Sequence, residues 1–167
     1  MSRKLVYFMI ISLILLILQI NIFSFLPFRG NSPDLLLLLV ICAGFLEDKK
    51  YSGVYFGFAL GILQDMLLGG MFGIYTITKT LIGGMADLVA DNIYKKSLVF
   101  PPVMAFVASF IQEYLVIFFS MSMFSVIFRS HSPVDIFTFS IYNTLLMFFL
   151  YLIVYYFILG GGQKYEW

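Results

Sequence analysis

Residues 33–70 read PDLLLLLVICAGFLEDKKYSGVYFGFALGILQDMLLGG. Two apolar runs flank a charged turn, Glu47–Lys50, and the second run ends in Gly69-Gly70. Neither run shows the polar stripe that a helix on a soluble protein turns towards water. The same texture continues to both ends of the chain. A membrane-crossing helix needs about 20 apolar residues. On that measure six spans are expected, roughly at 5–26, 33–47, 51–69, 71–91, 98–126 and 133–160. The links between them are short, which makes consecutive spans antiparallel neighbours and leaves no room for a soluble insertion.

Composition agrees. Of the 167 residues, 62% are hydrophobic and 11% are charged, too few charges to coat a water-facing surface. A single polytopic membrane domain over 1–167 is therefore expected, an all-α six-helix bundle with the lipid bilayer as its solvent. Net charge is +1 and no basic block tracks phosphates, so nucleic acid is not an expected partner. Cys42 is the only cysteine, so an intrachain disulfide is excluded. The apolar stretch after Arg3 and Lys4 runs past the length of a signal-peptide core and reads as a retained first helix.

Orientation follows from the basic residues at the span ends. Arg3, Lys4, Lys49, Lys50, Lys95, Lys96 and Lys164 fall on one side, and Arg29 and Arg129 on the other. That bias places both termini in the cytoplasm. Two outward starts resemble each other, Ser32-Pro33 and Ser132-Pro133, each with a capping serine, a first-turn proline and then an aspartate, Asp34 or Asp135. Two independently capped helices explain this more readily than a trace of an internal repeat.

Two features stand out inside the spans. Gly53, Gly57 and Gly61 recur every four residues and Asp65 continues the row. Such a face lets another backbone approach closely, either inside the bundle or on a partner's helix. Ionisable groups at depth, Asp65, Lys79, Asp87 and Glu113, are costly in lipid and need partners. Counting rise per residue from the expected span ends puts Asp65 and Glu113 level and Lys79 about one turn deeper. The expected cluster is Lys79 between Asp65 and Glu113, with Asp87 reaching the interface or Lys95. Gln112 and Asn143 suit interhelical hydrogen bonds. No catalytic constellation, metal motif or phosphate-binding loop is present, His131 falls in an outward loop, and no cofactor is expected.

The stretch SPDLLLLLVICAGF, a charged turn, then GVYFGFALGILQDMLLGGMFGIY resembles the MreD family of bacterial rod shape-determining proteins. The matching positions are Pro33, Asp34, Gly53, Gly57, Phe58, Gly61, Asp65, Gly69 and Gly73, and Asn143 in the last span is also similar. The resemblance implies a fold similar to the substrate-binding S-components of energy-coupling-factor vitamin transporters. It implies a non-enzymatic scaffold of the inner membrane, working in peptidoglycan synthesis with a bitopic MreC-like protein and, through it, MreB, RodA and a penicillin-binding protein. It also implies that the charge at Asp34 need not matter, since the family admits Asn there. The alternative is a solute-binding S-component; the absence of alanine from the first span, which denies it an Ala-x3-Ala face, counts against that.

Overall fold

The computed structural model describes residues 3–21, 33–47, 49–68, 72–92, 97–123 and 133–159. They form six helices and no strand: α1 (Arg3–Asn21), α2 (Leu35–Leu46), α3 (Ser52–Leu68), α4 (Ile74–Asn92), α5 (Phe100–Met123) and α6 (Pro133–Leu159). Each answers to one expected span. The link between α3 and α4 is longer than the two glycines expected, because α4 starts only at Ile74. Gly69, Gly70, the 27–32 turn, Lys95, Lys96, Arg129, His131 and Lys164 lie outside the described residues, so the charge count for orientation falls largely outside them too.

Helix α2 is the axis of the molecule. All twelve of its residues are buried. It packs against each of the other five helices, which is why five leucines in succession bear no polar face. At 1.5 Å per residue it is only about 18 Å long, against about 36 Å for α5. Its start therefore sits deep in the bundle. Three groups satisfy the amides there. Asn143 Oδ1 on α6 accepts from the Asp34 amide at 3.1 Å, Gln19 Oε1 on α1 accepts from Leu36 at 3.3 Å, and the Asp34 carboxylate accepts from Leu37 at 2.9 Å. At the other end the Glu47 amide donates to Ala43 at 3.1 Å and closes the last turn.

The outer helices turn large apolar side chains outwards. Leu13 and Ile17 on α1, Tyr55 and Met66 on α3, Leu81 and Leu88 on α4, Phe118 on α5 and Phe149 on α6 are all exposed. An apolar perimeter on every side suits lipid and not water. Stretches Phe100–Phe119 and Pro133–Tyr156 are long and apolar enough by themselves to cross a membrane. Pro101 and Pro102 occupy the first turn of α5 and Pro133 opens α6, where the missing N–H breaks no hydrogen bond within the helix.

Candidate functional site

The glycine row of α3 lies against the backbone of α4. A Cβ added to Gly53 would stand 2.4 Å from the Gly83 carbonyl oxygen, one at Gly57 2.3 Å from that of Lys79, and one at Gly61 2.4 Å from the Thr76 Cα. Gly83 is equally constrained, since a Cβ added there would stand 2.1 Å from the Gly53 carbonyl oxygen. The row is thus filled from within the chain. The alternative of a face open to a partner's helix does not fit this arrangement.

The row ends in carboxylates that cap the neighbouring helix. Asp65, at the end of the row on α3, accepts from the amides of Tyr75 at 3.1 Å and Thr76 at 3.0 Å and from the Thr76 hydroxyl, all in the first turn of α4. Asp87 on α4 does the same for α3, accepting from Gly53 at 2.9 Å and Val54 at 3.1 Å. These amides have no acceptor in their own helix, and the partial positive charge of a helix start favours a carboxylate. The residues just before the two helices, Tyr51 and Gly73, both have positive φ, 64° and 105°. Tyr51 and Gly73, and likewise Asp65 and Asp87, stand 22 positions apart (73 − 51 and 87 − 65). The two helices are related by a local two-fold that exchanges cap for cap. Asp87 therefore serves the start of α3; Lys95, named as its other expected partner, lies outside the described residues.

Lys79 is fully buried and forms its ion pair with Asp34, not with Asp65 or Glu113. Its ammonium also donates to Gln112 Oε1 at 3.2 Å. Asp34 Oδ2 accepts further bonds from Gln112 Nε2 at 2.8 Å and Gln64 Nε2 at 3.2 Å. Asn143 Nδ2 donates to the Ser109 hydroxyl at 2.8 Å, tying α6 to α5. The result is a polar layer drawn from α2 to α6. Along α5 it lies about 18 Å from the level of Phe100 and about 16 Å from that of Met123. Asp34 was placed at the membrane surface by its position ahead of a short span; the sinking of α2 brings it to the depth of Lys79. Neutralising Asp34 in this chain would leave the buried Lys79 ammonium without its ion-pair partner.

Pro33 is buried beside Asp34, and Gly73 supplies the positive φ before α4, while Gly69 lies outside the described residues. Glu113 is half-buried and makes no hydrogen bond or ion pair among the described residues. No group of three or more His, Cys, Asp or Glu among the described residues is placed to hold a metal ion. Gln64 was missed by the sequence reading. Its signal was its place one residue before Asp65 on the same helix, which turns it to an adjoining face, towards α2.

A family model, rod shape-determining protein MreD, matches residues 1–159. The chain belongs to the MreD family. Members of that family are membrane-associated and act as structural proteins in rod shape determination. The resemblance seen in the 32–75 segment thus extends over nearly the whole chain. No curated protein sequence gives a significant match. No solved structure gives one either.

Proposed function

We propose that this chain is a six-span scaffold of the bacterial inner membrane, one polytopic unit with both termini cytoplasmic. In this reading it binds a bitopic MreC-like protein and, through it, couples MreB, RodA and a penicillin-binding protein during wall synthesis. The family match carries the proposal. The geometry supports it in one respect. The carboxylates Asp34, Asp65 and Asp87 and the Lys79 ammonium are spent on holding helices to helices. What the molecule offers outwards along its spans is chiefly apolar surface, which suits contact with another membrane helix.

The test is co-purification from membranes with the MreC-like partner, together with replacement of the gene in rod-shaped cells. Stable association and rounding of depleted cells are expected. Rod shape maintained without the protein, or a wild-type chain that never retains the partner, would remove the proposal. A vitamin retained in native mass spectrometry would favour the solute-binding alternative.

A further inference from the structure

Among the described residues, Glu113 is an ionisable side chain at membrane depth that the internal network leaves out. It is the fourteenth of the 24 residues of α5, about 20 Å from the level of Phe100 and about 15 Å from that of Met123. Its neighbour Gln112 turns inwards to Asp34 and Lys79, while Tyr114 on its other side is 60% exposed. Glu113 thus stands at the boundary between the polar layer and the outward face of α5. Lys79 is within Coulombic reach, but its charge is already matched by Asp34. The ledger of the layer closes without Glu113, and one carboxyl group remains over. Such a group at this depth faces either a bundle interior or a partner. A lipid headgroup or a soluble domain would have to cross about 15 Å of apolar surface to reach it, whereas a side chain on another spanning helix needs no such excursion.

We propose that Glu113 is the contact on this chain for a basic side chain carried at mid-membrane by the partner's transmembrane helix. The helix would lie along α5, with the adjoining exposed Tyr114 as its apolar footing. The inference rests on the scaffold reading and specifies which face that scaffold uses.

The experiment is co-purification of the full chain with the MreC-like protein, for the wild type and for Glu113→Gln and Glu113→Leu, with folded yield and thermal midpoint measured alongside. Both variants are expected to fold as the wild type does and to lose about tenfold or more in partner retention, the scale of one buried polar contact between membrane helices. A photo-crosslinking residue at position 114 is expected to link to the partner's membrane helix. Unchanged retention by Glu113→Leu overturns the proposal while leaving the scaffold reading in place. Retention kept by Glu113→Gln but lost in Glu113→Leu overturns the basic partner in favour of a neutral hydrogen bond. Should neither variant fold, the crosslink decides: transfer to the partner's helix supports the proposal and its absence overturns it. A wild-type chain that retains no partner fails the scaffold reading itself.

Discussion

The pairs α3–α4 and α5–α6 solve the same problem by opposite means. In α3–α4 the side chains at the seam have been removed, and backbone touches backbone at Gly53, Gly57, Gly61 and Gly83. The ends are then fastened by Asp65 and Asp87, each reaching across to the other helix. In α5–α6 the seam is filled. Phe106 and Phe110 of α5 gather against Phe137 of α6, with ring centroids 6.1 and 6.5 Å from it, and Ser109 and Asn143 supply a hydrogen bond in the same seam. Lipid offers no hydrophobic drive between helices, so contact itself must hold them. The first pair gets that contact from proximity and allows almost no substitution. The second gets it from bulk, which can repack.

That contrast can be broken most forcefully at the polar layer behind the first pair. Lys79→Met leaves the Asp34 carboxylate buried without its cation and is expected to cost about 3–5 kcal/mol of stability. Thermal unfolding in detergent would register this, and Lys79→Met combined with Asp34→Asn should recover much of it. No recovery would mean the lysine is needed for more than its pair. Next in size, Gly57→Ala is expected to cost about 3 kcal/mol, because the Lys79 carbonyl cannot yield as a side chain would. Gly84→Ala is the internal control, since a Cβ there meets only Val54 Cγ2 at 3.4 Å. Equal midpoints for the two variants would dissolve the distinction drawn above.

The caps come third. Asp65→Ala and Asp87→Ala are each expected to cost about 1–2 kcal/mol, and by similar amounts if the local two-fold is energetically real. Amide exchange of Tyr75 and Thr76 in the first variant, and of Gly53 and Val54 in the second, would show which helix start is released. The smallest effect belongs to the second pair. Phe137→Leu is expected to change stability by about 1 kcal/mol, within the tolerance of a seam that repacks.

Much of this was legible in the sequence, and the failures have a common cause. The number and order of helices follow from apolar runs and charged turns, and the glycine row announced close packing at Gly53, Gly57 and Gly61. The ion pair was misassigned because depth was counted from span ends at the surface. That assumption holds for α4 and α5 and fails for α2, whose twelve residues are too few to reach across. Asp34 is thereby moved inwards by more than a turn, and Lys79 meets it and not Asp65. The role of Asp65 and Asp87 was hidden for a different reason. A cap is usually sought just ahead of the helix it serves, whereas here each lies far along the opposite helix. The matching offset of 22 residues was present in the sequence, but two aspartates at one spacing carry little signal until the helix starts are fixed.

The burial of α2 also sets an order of assembly. Its start is completed by Asn143, which lies 109 positions later in the chain. During synthesis the α2 segment emerges long before the helix that accepts its first amide. Until α6 arrives, Asp34 and its neighbours face a half-built bundle, too short to span by themselves and too apolar to leave. A chain truncated ahead of Asn143 would present membrane quality control with an open polar layer, and the last helix is in this sense the latch on the second.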